Sequence, residues 1–161
     1  MHGKIFQISD KPIAKEDYVS PEDFYENSSN FADHIGEEVN GEDRENSVGY
    51  LAHDLRGVFT AVGRDHLVYL GDDALRKFLQ EWADEIKAQA AELTADNILN
   101  GMRLTNISLT TKETHRDSDY RVYIDEWNGY AGPLADLIGY TANKLKKGDS
   151  IYIGAIIDYH Y

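Results

Sequence analysis

Six histidines, at positions 2, 34, 53, 66, 115 and 160, come first, because an imidazole can carry protons near neutral pH or bind a metal ion. None stands in a His-Glu-x-x-His pattern, and no two lie four residues apart, so no helix offers a ready pair of metal ligands. Asp158-Tyr159-His160 has the best local geometry. On a strand, residues two apart face the same way, so this carboxylate and this imidazole would share a face. His53-Asp54 could add ligands if the fold brought it alongside. A small metal-dependent hydrolase using Asp158 and His160 is therefore one functional reading. Histidines outside ligand motifs usually have structural roles, so the expectation is no metal, no cofactor and no assigned catalytic residue.

Paired carboxylates are abundant: Glu16/Asp17, Glu22/Asp23, Glu37/Glu38, Asp72/Asp73, Asp84/Glu85 and Asp125/Glu126. Acid–base catalysis needs one carboxyl perturbed by burial beside one left ionised, and most of these pairs fall at helix caps or on polar faces. His115-Arg116-Asp117 matches the catalytic-loop triplet of protein kinases, but the glycine-rich loop and the Asp-Phe-Gly triplet are missing. A polar loop ahead of a strand accounts for it. No Gly-x-Gly-x-x-Gly, Walker-type loop or Gly-x-Ser-x-Gly elbow occurs. The absence of cysteine removes thiolate nucleophiles, disulfides and Cys-ligated metal sites. Trp82 falls on an apolar helical stripe and reads as core. Trp127 and Tyr130 fall in a polar turn and are better candidates for an exposed contact.

The elements that would position these groups follow from the pattern. Residues 4–8 read as a strand, and Ser20-Pro21-Glu22-Asp23 as a helix start that carries Phe24 and Tyr25 and stops near Asn27-Ser28-Ser29. Phe31, His34, Ile35 and Val39 suggest a second short helix, capped by Asn30 and ended by Asn40-Gly41. A third helix is expected over about 43–56, and a hairpin over 58–62 and 66–70 turns at Gly63-Arg64-Asp65. The clearest helix runs from about Asp73 to Leu93 with Asp72 as its cap. Its apolar stripe is Leu75, Phe78, Leu79, Trp82, Ile86, Ala90 and Leu93. A shorter helix restarts at residues 94–97, and residues 103–114 suit either a helix or a strand. Residues 120–124 read as a strand, and Asn128–Pro133 as a turn into a helix that ends at Lys144–Gly148. The run Ile151–Ile157 within 150–161 suits a strand covered on both faces. Strands and helices mix without a regular βαβ alternation. The fold class is α+β: one domain, with a mixed or antiparallel sheet of about four to five strands packed against several helices.

Charge is the strongest compositional signal. The 161 residues carry 16 bases and 29 acids, a net charge of −13. Residues 1–54 hold thirteen acids against four bases, a net −9, and the other 107 residues a net −4. Nucleic-acid binding needs clustered Lys and Arg, so direct contact with nucleic acid is not expected, and an anionic membrane would repel the chain. A basic protein surface would attract this chain. An apolar content of 42% is too high for a disordered chain. No apolar run is long enough for a membrane span or a signal-peptide core, so a cytoplasmic protein is expected.

The opening Gly-Lys-Ile-Phe-Gln-Ile-Ser with Pro12, Glu16-Asp17-Tyr18 and Asp23-Phe24-Tyr25-Glu26, and the closing Ile151–Tyr161, resemble small acidic proteins carried on conjugative elements and prophages of gut bacteria. The resemblance is confined to the two ends. The family has no assigned activity, so it lends no site residues. It implies a setting in which small acidic proteins often inhibit host defence, as anti-restriction or anti-CRISPR proteins do. The leading expectation is a non-enzymatic binding protein whose carboxylates replace phosphates in the basic groove of a nucleic-acid-handling enzyme. Glu16, Asp17, Glu22, Asp23, Glu26, Glu37, Glu38, Glu42, Asp43 and Glu45 would make the contact, because charge is densest there. The alternative is a structural or regulatory homo-oligomer built through Trp127 and Tyr130 or an unpaired edge strand.

Overall fold

The computed structural model describes residues 2–26, 32–55, 57–99 and 119–161. Among these are seven strands in one mixed sheet, four α-helices and two single 3-10 turns. The chain runs through β1 (His2–Ser9), 3-10 turns at Lys15–Asp17 and Pro21–Phe24, and β2 (His34–Glu38). It continues through α1 (Gly41–Asp54), β3 (Phe59–Val62), β4 (His66–Tyr69), α2 (Asp72–Ala91) and α3 (Ala95–Leu99). It ends with β5 (Tyr120–Tyr123), β6 (Gly132–Pro133), α4 (Leu134–Lys144) and β7 (Ser150–His160). The α+β reading holds, with a sheet wider than the four or five strands expected.

Strand β7 is the axis of the sheet. The order is β3-β4-β7-β1-β5-β6, and β2 also pairs with β7. Among the described strands only β1 and β5 run parallel. One edge of β7 is taken by β1. The other is shared end to end, by β4 along Ser150–Tyr152 and by β2 along Ile157–His160. At the gap between them, Val39 N–H donates to the Ile156 carbonyl at 2.7 Å and Arg44 Nη2 donates to the Ile153 carbonyl at 2.7 Å. These bonds satisfy backbone carbonyls that would otherwise be buried without partners. The apolar run in β7 is buried on both faces, as its composition predicts.

Two apolar clusters cover the two faces. Phe6, Ile8, Ile151, Ile153 and Ile156 pack against Val48 and Leu51 of α1, Leu75 and Phe78 of α2, and Leu134, Leu137 and Tyr140 of α4. Ile5, Ala155, Ile157 and Tyr159 pack on the opposite face with Ile35 of β2 and Phe24 of the second 3-10 turn. That second cover is mostly irregular chain, and Gln7 ties it down. Gln7 is buried; its Oε1 accepts from Val19 N–H at 3.1 Å and Ala155 N–H at 3.0 Å, and its Nε2 donates to the Asp17 carbonyl at 2.9 Å.

Several local expectations are corrected. The helix expected over residues 30–39 is strand β2 within the described residues. Phe31, Ile35 and Val39 have helical spacing, but the free edge of β7 offers a ladder and a buried place for Ile35, and tertiary pairing overrides the local period. Asn40-Gly41 opens α1 rather than ending a helix. The helix expected to start at Ser20–Asp23 is only one 3-10 turn, Pro21–Phe24, closed by a capping box between Ser20 and Asp23. Gly71, at φ 105°, caps α2 in place of Asp72, whose carboxylate accepts the Tyr69 hydroxyl at 2.9 Å. On α2, Leu75 and Phe78 are buried, Trp82 and Ile86 are half-buried, and Ala90 is exposed. Residues 27–31, 103–114 and the His115-Arg116-Asp117 triplet lie outside the described residues. Among the described residues no helix is long and apolar enough to cross a membrane.

Candidate functional site

The register of β1 on β7 pairs His2 with His160 and Lys4 with Asp158. Side chains alternate along a strand, so these four share the face that carries Phe6 and Ile156. On the other side of β7, His34 of β2 is also paired with His160. Three histidines therefore stand in a row across β1, β7 and β2. The His2 and His160 ring centroids are 3.9 Å apart, and those of His34 and His160 are 5.9 Å apart.

Asp158, two residues before His160 on β7, stands beside this row. Its Oδ2 lies 3.3 Å from His2 Nδ1 and 3.7 Å from His160 Nε2, while its Oδ1 lies 3.3 Å from Lys4 Nζ. The Asp158 side chain is 26% exposed and that of His2 67%, so the carboxylate is the shielded member and the rings face water. Helix α1 forms a wall with Asp43, Asn46, Ser47 and Tyr50, and Glu37 and Glu38 of β2 add to it. The resulting groove has a volume of about 750 Å³. Its lining holds four carboxylates and one lysine, so with neutral histidines its field is negative and favours cations.

Asp158 and His160 thus share a face as expected, and the structure adds His2, Lys4 and His34. Among the described residues, His2, Asp158 and His160 are the one group of three potential ligands whose ligand atoms all lie within 4.8 Å of one another. His53-Asp54 does not join it: Asp54 accepts the Tyr120 hydroxyl at 2.6 Å. The sequence does carry a signal for His2 and Lys4, and none for His34. His2/Lys4 and Asp158/His160 are both polar pairs at spacing two in otherwise apolar strands, and pairing of those strands would bring them together.

A second cavity of about 380 Å³ opens where the parallel strands β1 and β5 end. Asp10, Asp17, Asp125 and Glu126 line it, with Tyr140. The Tyr123 hydroxyl is pushed up to about 12, first by its hydrogen bond to Asp125 and then by burial. Burial and the charges of Asp10 and Glu126 raise Tyr140.

The ten carboxylates expected to meet a partner fall in two layers. Glu16, Asp17, Glu22, Asp23 and Glu26 lie on or beside the 3-10 turns that cover one face of the sheet. Glu42, Asp43 and Glu45 lie on α1, over the other face, and Glu37 and Glu38 lie on edge strand β2. Nine are exposed and Glu38 is half-buried. Among the described residues Glu45 is the only one of the ten in an ion pair, with Arg64 Nε at 2.9 Å. Trp127 and Tyr130 are exposed, at 40% and 51%, and Trp127 packs edge-on against Tyr140. Comparison of the chain with protein-family models, with curated proteins and with solved structures finds no match to any of them.

Proposed function

We propose that this protein is a non-enzymatic acidic binding protein that docks on a basic surface of a partner protein. The supporting observation is that nine of the ten N-terminal carboxylates are exposed and that nine lack a basic partner within the described chain. Solvated, unneutralised carboxylates keep their full attraction for a partner's Lys and Arg side chains. In its most specific form the partner is a nucleic-acid-handling defence enzyme, and the carboxylates occupy its phosphate channel. The resemblance of the chain ends to small acidic proteins of mobile elements supports that form. With the acids in two layers, a cleft that closes on both sides of edge strand β2 fits better than a flat basic plane.

The test is capture of partners by the tagged protein from bacterial lysate at low and high salt, followed by charge reversal. One basic partner held at low salt, released at high salt and lost with Glu16→Lys, Asp17→Lys, Glu22→Lys and Glu37→Lys combined is the expected result. Binding that does not change with salt would sink the charge-led reading, because interactions between exposed charges are screened beyond about 8–10 Å at ordinary ionic strength. Self-association is a second reading, favoured by edge strand β3, where Thr60, Ala61 and Val62 are exposed. A mass that rises with concentration in light scattering would support it.

A further inference from the structure

We infer that His2, Asp158 and His160 form a binding site for a divalent transition-metal ion of the Zn²⁺ class, beside which the His34 ring stands with its centroid 5.9 Å from that of His160. The inference is independent of the docking reading.

The first argument is the donor set. Two imidazole nitrogens and one carboxylate oxygen suit Zn²⁺, Co²⁺ or Ni²⁺ rather than Mg²⁺ or Ca²⁺, which prefer oxygen ligands throughout. The second is distance. Metal–ligand bonds of ~2.0–2.1 Å imply ligand atoms ~3.4 Å apart around a tetrahedral ion. Asp158 Oδ2 stands 3.3 Å from His2 Nδ1 and 3.7 Å from His160 Nε2, close to two edges of such a tetrahedron. The third ligand–ligand separation is within 4.8 Å.

The third argument is support. His160 and Asp158 are two apart on the central strand, and His2 is held opposite His160 by the β1–β7 ladder, so three ligands are fixed by one stretch of backbone pairing. Gly3 sits between His2 and Lys4, and a Cβ there would overlap the Tyr159 ring; this close approach of the strands resists register slip. Lys4 meets Oδ1 and leaves Oδ2 toward the rings. A cation held to the outer oxygen of a ligating carboxylate fixes its orientation, as hydrogen-bond partners of metal ligands commonly do. The groove opens to water, so an ion can enter, and its carboxylate lining raises the local cation concentration.

The test uses the full chain without a polyhistidine tag. Zn²⁺ is titrated by calorimetry, and Co²⁺ is followed by its visible absorption, which reports coordination geometry. The expected result is one ion per chain, weakened at least ~10-fold by Asp158→Asn and by His160→Ala, with a smaller loss for His34→Ala. If a variant melts below the wild type, a second readout keeps the question open to decision. Zn²⁺ added to the wild-type chain should shift the ring resonances of His2 and His160, and leave those of His53 and His66 in place. Binding of equal strength in wild type and Asp158→Asn, or ring resonances that move for His53 and His66 instead, would overturn the inference. So would no saturable binding at all, which would leave the rings sharing Asp158 through protons alone.

Discussion

Gln7→Met tests whether one buried amide holds the acidic N-terminal segment onto the sheet. Gln7 makes three hydrogen bonds, to Asp17, Val19 and Ala155, from a position 2% exposed. Methionine has a similar volume, so the cavity cost is small and the loss is that of the bonds. The Ala155 N–H is fully buried and would be orphaned at a cost of ~1–3 kcal/mol, and the half-buried Val19 N–H would lose about half as much. Water can replace the amide at the exposed Asp17. The sum is about 3 kcal/mol, which for a domain of this size lowers Tm by roughly 6–12 °C. Urea unfolding followed by circular dichroism measures it, and faster hydrogen exchange at Val19 locates it. Gln7→Glu supplies the control. Protonated Glu mimics the amide, accepting at one oxygen and donating from the other. Burial raises its folded pKa above the unfolded value of ~4.3. The variant should match the wild type below that pH and lose stability relative to it as pH rises through the folded value. A loss below ~1 kcal/mol for Gln7→Met, or a pH-independent deficit for Gln7→Glu, would refute the reasoning.

Gly154→Ala should destabilise by ~1–3 kcal/mol, because the added Cβ would overlap Gln7 Oε1 and Ile13 Cδ1; an unchanged urea midpoint would contradict that packing. Gly3→Ala should do the same through the Tyr159 ring, and should also separate His2 from His160, visible as altered histidine ring shifts. Arg44→Ala leaves the Ile153 carbonyl without its guanidinium donor and should cost ~2–4 kcal/mol, measured by chemical denaturation. Tyr69, Tyr123 and Tyr159 are each pushed up to about 12, Tyr69 and Tyr159 chiefly by burial. Their neutral forms stabilise the fold below the unfolded value of ~10, and that contribution is lost as pH climbs from there to about 12. Ultraviolet titration should then show a late group among the eleven tyrosines, and a single step near pH 10 would contradict it.

Elements whose own period decides them were legible in the sequence. The span of α2, the hairpin turn at Gly63, the end of α4 near Lys144 and the doubly buried β7 all follow from local pattern and composition, although only Leu75 and Phe78 of the α2 stripe are buried. Helix α1 was legible to within a turn. Strand β2 was not, because its residues have helical spacing and become a strand only where β7 leaves an edge free. The candidate site was half legible for a related reason. Spacing along β7 puts Asp158 and His160 on one face, but His2 and His34 arrive through inter-strand register, which periodicity within a strand does not encode.

A single inserted residue decides which face holds the candidate site. Between Phe6 and Ile8, β1 advances two residues while β7 advances three, from Ile156 to Ile153, so β7 carries a bulge there. Before it, odd-numbered residues such as Ile151 and Ile153 face α1 and α4; after it, even-numbered ones such as Ile156 do. Without the extra residue, Asp158 and His160 would turn toward the cluster of Phe24, Ile35 and Tyr161, where a carboxylate would be costly, and Tyr159 would turn into the groove. Gln7 and Gly154 stand at the bulge, one accepting from the Ala155 N–H and the other leaving room for the Gln7 amide. The amide that ties down the acidic segment on one face therefore also fixes the parity that exposes the histidine–aspartate group on the other. Perturbing Gln7 should consequently disturb both, although neither Glu16 nor His160 touches it.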